Sequence, residues 1–134
     1  MATDTTAAAG TAYLYKVRAI GTGGPSDFSS VDLATTIIFT DAILSGVVVK
    51  AVHVNELRAA VNAVRTAAGL SGAPYTDSTI TPASTFVKQA HVTELRSALN
   101  AARSALVLSA VSYTDAVPTT IKAVHMTDLR SGTQ

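Results

Sequence analysis

A chain of 134 residues is one ordinary domain, or one domain with a small appendage, and 48% hydrophobic against 14% charged residues is enough to bury a core. A formal charge of +1 carried by scattered Lys and Arg gives no basic field, which argues against nucleic acid as a partner. The absence of Cys excludes disulfides, thiolate chemistry and Cys-type zinc sites, and the apolar runs are broken by Lys50, His53 or Lys88 before any reaches the length of a membrane span.

Residues 1–11 are small and polar and are expected to be loosely held, with residues 1–10 dispensable. They show neither a basic n-region nor an apolar h-region, so no signal peptide is expected there. From Tyr13 to Ile20 the residues alternate. Tyr13, Tyr15, Val17 and Ala19 are predicted to share one face of a strand, with Lys16 and Arg18 on the other. Gly21 to Asp27 is a turn or loop by composition, and Phe28 to Ile38 can return as a second strand with Val31, Leu33 and Thr35 on one face. Such a hairpin is marginal alone in water. It must lie on the helical part or pair with another chain along an open edge, and a homodimer through the hairpin is expected.

A repeat begins at Phe39. Unit one is 39–74, unit two 75–112 and unit three 113–134, each opening on an aromatic-Thr-Asp triplet: Phe39-Thr40-Asp41, Tyr75-Thr76-Asp77 and Tyr113-Thr114-Asp115. A loop of variable length follows. The register then resumes in the hexapeptides His53-Val-Asn-Glu56-Leu-Arg58, His91-Val-Thr-Glu94-Leu-Arg96 and His125-Met-Thr-Asp128-Leu-Arg130. Their offsets are 38 residues from His53 to His91 and 34 from His91 to His125, in the range of helical repeats. Val54, Leu57, Val61, Val64 and Ala68 recur at helical steps, as do Val92, Leu95, Leu99, Ala102 and Leu106, flanked by alanines that allow close packing. Gly69 is placed to end the first helix, and the third is a stub in which Met126 and Leu129 pack before Ser131-Gly132.

Two resemblances rest on these residues. Tyr13-x-Tyr15-x-Val17-x-Ala19, the loop Gly24-Pro25-Ser26 and the closing Val31 to Thr36 resemble the last two strands of a fibronectin type III domain, without its other five. Residues 39–134 resemble helical repeats near the C-termini of large secreted bacterial proteins, on the three His-x-x-Glu/Asp-Leu-Arg hexapeptides and the aromatic-Thr-Asp openings. The second resemblance implies a secreted or cell-surface origin and no particular activity. The expected fold is mainly α: a stack of two full helices and a stub in residues 39–134, behind residues 1–38, a disordered start and the β-hairpin Tyr13–Ile38.

All three histidines of the chain lie in the hexapeptides, each with a carboxylate three residues later. On a helical wheel His53 falls at the margin of the apolar seam with Glu56 further round on the same side, within reach of it. One reading is structural: the histidine satisfies a helix terminus or a loop, and the Glu and Arg link adjacent units, because a repeat needs the same joint at each step. Asp41, Asp77 and Asp115 are then turn or cap residues, and Lys50, Lys88 and Lys122 are solvated. The other reading is a metal site. Here His53, His91 and His125 bind zinc or another divalent transition metal, and Glu56, Glu94 and Asp128 complete the shell or act as base toward a bound water. Such a centre could hydrolyse activated phosphate or carboxylic esters. The alternative is a non-enzymatic structural or attachment module of a secreted or surface protein.

Overall fold

The computed structural model describes residues 3–134. Four short strands and three helices follow in order: β1 (Ala12–Tyr15), β2 (Ile20–Gly21), β3 (Gly24–Pro25), β4 (Asp32–Thr35), α1 (Ala51–Ala67), α2 (Gln89–Ala105) and α3 (Ala123–Gly132). Helices take only 33% of the chain, because each unit spends as many residues on irregular loop as on helix. The fold is therefore a small α+β arrangement rather than mainly α.

The helices form where expected, on the expected faces. Val54, Leu57, Val61 and Val64 of α1, Val92, Leu95, Leu99 and Ala102 of α2, and Met126 and Leu129 of α3 have no exposed surface. A fully buried Leu or Val of this kind contributes roughly 1.5–3 kcal/mol. Each of the three helices packs on the other two. Side chains from the variable loops close the core beneath them: Leu44 and Ile80 are buried, and so is Pro118. Each stands three residues after its unit's aspartate.

Helices α1 and α2 end in the same way. The amide of Leu70 reaches the carbonyl of Arg65 at 2.8 Å, and that of Leu108 reaches Arg103 at 2.8 Å, over a residue in the left-handed region. In α1 that residue is Gly69, at φ 71°, as expected. In α2 it is Val107, at φ 60°, a branched side chain in a conformation that crowds its Cβ.

Strands β1 and β4 pair antiparallel, Leu14 opposite Leu33 and Ala12 opposite Thr35, and β2 pairs with β3 across the tip. The face turned inward carries the buried Ala12 and Leu33, not the tyrosines. The phase of the first strand is thus the reverse of the expected one. Tyr13 instead accepts a hydrogen bond from the Ala8 amide at its hydroxyl, 2.7 Å away. Thr36 ties the same segment down, accepting from the Thr11 amide at 2.9 Å and donating to the Ala8 carbonyl at 2.6 Å. Residues 8–11 are therefore part of the fold, although Met1 and Ala2 lie outside the described residues. The base of the hairpin rests on α1. Beyond it the arm stands free, with Val17, Ile20 and Phe28 exposed.

Candidate functional site

The residues that repeat are the residues that meet, but not in the combination the spacing suggests. His53, His91 and His125 have no exposed surface, so they are core residues and not marginal ones. Each occupies the third position of its helix, where its ring can turn back on the residue before the first turn. The Lys50 amide donates to His53 Nδ1 at 3.1 Å, the Lys88 amide to His91 Nδ1 at 3.2 Å, and the Lys122 amide to His125 Nδ1 at 3.2 Å. The imidazole thus stands where the glutamate of a capping box stands and satisfies an amide that the helix leaves open.

That bond fixes the tautomer. A nitrogen that accepts an amide N–H carries no proton, so the proton is on Nε2. There it is donated to the aspartate of the unit's own opening triplet: His53 to Asp41 at 3.0 Å, His91 to Asp77 at 2.8 Å, His125 to Asp115 at 2.9 Å, each at Oδ2. The lysine before each helix meets the same oxygen, at 3.4, 2.8 and 3.3 Å respectively. These donors hold the carboxylates below their ordinary value. His53 leads for Asp41 and His125 for Asp115, with the lysine second, whereas Lys88 leads for Asp77.

The carboxylate three residues after each histidine does not meet that histidine. Glu56 accepts from the Thr40 amide at 3.0 Å and the Thr40 hydroxyl at 2.5 Å. Glu94 accepts from the Thr76 amide at 3.1 Å and also from its hydroxyl. Asp128 accepts from the Thr114 amide at 2.8 Å and its hydroxyl at 3.2 Å. The triplet is thus held by its own helix twice, Thr by the acid and Asp by the histidine. The expected pairing of histidine with the acid one turn on is replaced by two parallel anchors.

The aromatic residue of the triplet belongs to a different helix. Arg58 lies over Tyr75 with its guanidinium carbon 4.3 Å from the ring centre, Arg96 over Tyr113 at 4.3 Å, and Arg130 over Phe39 at 4.5 Å. The same arginines donate to the aspartate carbonyls of those triplets: Arg58 to Asp77 at 2.7 Å, Arg96 to Asp115 at 2.6 Å, Arg130 to Asp41 at 2.8 Å. Unit one grips unit two, unit two grips unit three, and unit three grips unit one. The units close into a ring instead of extending as a stack. The third joint differs in detail, because Arg130 also donates to the Thr40 carbonyl at 2.9 Å and lies 3.7 Å from Glu56. Burial pushes the Tyr113 hydroxyl up to about 12 and lowers Arg130.

A second link strengthens two of the contacts. Arg65 donates to the Ala98 carbonyl at 3.3 Å, and Arg103 to the Gly132 carbonyl at 2.7 Å. Gly132 is the counterpart of Ala98 in the shortened third helix. A Cβ there would overlap Val111 and stand 2.8 Å from Leu99, so any larger residue requires those side chains to shift.

Among the described residues, no group of three or more His, Cys, Asp or Glu side chains is placed to hold one metal ion. Each of the three histidines has both nitrogens engaged by residues of its own unit. A cleft of about 470 Å³ lies between β4 and the end of α2, with Leu33, Leu106, Leu108 and Arg103 in its walls, and none of the hexapeptide residues lines it. Among the described residues, no helix is long and apolar enough to cross a membrane. No family model, curated protein or solved structure matches the chain.

Proposed function

We propose that the chain is a non-catalytic structural or attachment module, and that its repeated hexapeptides are the joints of a closed three-unit ring. The observation that carries this reading is the use of each repeated side chain within the fold: histidine with aspartate and amide, acid with threonine, arginine with the next aromatic ring. A histidine acting as base or ligand needs a nitrogen lone pair free, and in each of these Nδ1 accepts an amide N–H while Nε2 donates to an aspartate. The free arm of the hairpin is the surface for attachment, since its strands have open edges and exposed apolar side chains. Pairing with the arm of a second copy gives the homodimer, and a secreted or surface protein is the expected setting.

The competing proposal keeps His53, His91 and His125 as ligands of zinc or a similar metal, with Glu56, Glu94 and Asp128 as bases for ester hydrolysis. It requires each histidine to release either its aspartate or its lysine amide, and the helices to bring three separated rings together. Elemental analysis of protein purified without added metal, then again after zinc is supplied, separates the two. The attachment reading expects no stoichiometric metal and no turnover of an activated ester above background. One bound metal per chain, lost with any single histidine, would overturn it.

A further inference from the structure

Three joints of one design close this ring, and in two of them the partners are neighbours along the chain. Arg58 and Arg96 each reach a carbonyl 19 residues away. Arg130 reaches across 89 residues to Asp41. Its acceptor, Phe39-Thr40-Asp41 with Glu56 behind it, recognises a side chain and a helix end, not a chain connection. The same surface on a second copy is chemically identical.

The segment that carries Arg130 follows a strained connection. The connection leading to it begins at Val107, which is 93% exposed and held at φ 60°. The equivalent hinge before unit two begins at Gly69, which tolerates that conformation without strain. Straightening the connection at Val107 relieves a strained branched residue, whereas straightening it at Gly69 relieves nothing. Strain in a hinge favours exchange of the element beyond it. Residues 107–112, the connection outside unit three, reach about 20 Å at roughly 3.3 Å per residue once extended, enough to pass unit three to an adjoining molecule.

We propose that two copies of the chain exchange unit three, each placing its Arg130 over Phe39 and against the Asp41 carbonyl of the other. The partner for this surface is therefore a second copy of the chain, and reciprocal exchange closes the assembly as a dimer. The inference rests on the attachment reading above for its use, and adds to it a joint that can be made between molecules. Two full-length variants test it. Arg130→Ala lacks the donor and keeps the acceptor, and Phe39→Ala lacks the acceptor ring and keeps the donor. Each alone has a broken closing joint. A mixed dimer has one intact joint and one joint broken on both sides, which is little worse than broken on one.

The pair is unfolded together, refolded at high protein concentration and sized by light scattering with chromatography. The expected result is a 1:1 mixed dimer that neither variant forms alone, unfolding at a higher temperature than either. The unmutated chain, refolded in the same way, should give a dimer fraction that Val107→Gly reduces several-fold. If an alanine variant loses its helical circular dichroism, Arg130→Lys with Phe39→Leu replaces the pair. Mixtures that stay monomeric, or that dimerise with no rise in unfolding temperature and no response to Val107→Gly, would overturn the exchange. Either outcome leaves the metal and ester measurements, on which the attachment reading stands, to be decided separately.

Discussion

Arg130 donates to the carbonyl of Asp41, 2.8 Å away and 89 residues earlier in the chain. That one bond, with the stacking of the same guanidinium on Phe39, makes the units a ring. Arg130→Met should lower stability by about 2–3 kcal/mol, the scale for a buried charged hydrogen-bonding group with a desolvated cation–π contact. Arg58→Met and Arg96→Met should cost less, because each of those arginines has both Nε and Nη2 buried without a partner, where Arg130 has only Nε, and the substitution removes that penalty. Urea unfolding of the three variants gives the order directly. Equal losses at all three positions would mean that the extra contacts of Arg130 contribute nothing.

Acid should weaken the ring at the aspartates. Asp41, Asp77 and Asp115 are each held below the ordinary value of 3.8 in the folded chain. A carboxyl with a depressed folded value binds more protons when unfolded. Its contribution is therefore fully present above the ordinary value and is lost as pH falls through the folded one. Stability should be insensitive to these groups above about pH 5 and decline below about pH 4. The triple variant with Asn at 41, 77 and 115 should start less stable at neutral pH and show a flatter acid limb. An unchanged acid limb would place the loss in other carboxylates.

Each of His53→Ala, His91→Ala and His125→Ala should cost about 2–3 kcal/mol, since each empties a buried site, leaves a lysine amide without its acceptor and leaves the aspartate only its lysine. The three histidines share no hydrogen-bond partner, so the losses should add in the triple variant. Metal content should be the same in all four proteins. Losses that fail to add, accompanied by loss of metal, would restore the metal reading.

Val107→Gly should stabilise the monomer by about 1 kcal/mol, because only the backbone strain changes at an exposed position. Gly69→Val should destabilise by a similar amount for the same reason. Thermal unfolding of both variants tests the pair. A neutral Val107→Gly would mean that the valine is not strained.

The hairpin arm should be separable from the ring. Val17→Lys with Ile20→Lys changes two exposed side chains on the free arm. The double variant should reduce any edge-to-edge association seen at tens of micromolar while leaving the unfolding temperature within a degree or two. A large drop in that temperature would show that the arm contributes to the core.

Much of this was legible in the residues. The seam of Val54, Leu57, Val61 and Val64, the stop at Gly69 and the stub around Met126 and Leu129 follow from periodicity, because a helix face is a local property. The partner of His53 is not local. It depends on a loop that brings Asp41 back under the helix, with Asp41 itself at φ 52°. The wheel placed Glu56 within reach of His53, and the loop brought Thr40 and Asp41 to them instead. The hairpin phase failed for a related reason: Tyr13 and Ala12 are equally compatible with alternation, and packing on α1 selects the smaller side chain.

The three joints are alike in chemistry and unlike in the chain length they enclose, and that orders them in time. Closing a loop costs about (3/2)RT ln n, so enclosing 89 residues instead of 19 costs roughly 1.4 kcal/mol more before any contact is counted. During folding, the grips of Arg58 on unit two and Arg96 on unit three should therefore precede that of Arg130. In the folded protein the amides of α3 should exchange with solvent faster than those in the middle of α1 or α2. A cycle of equal links has no end in space, but its history gives it a seam, between Arg130 and Phe39.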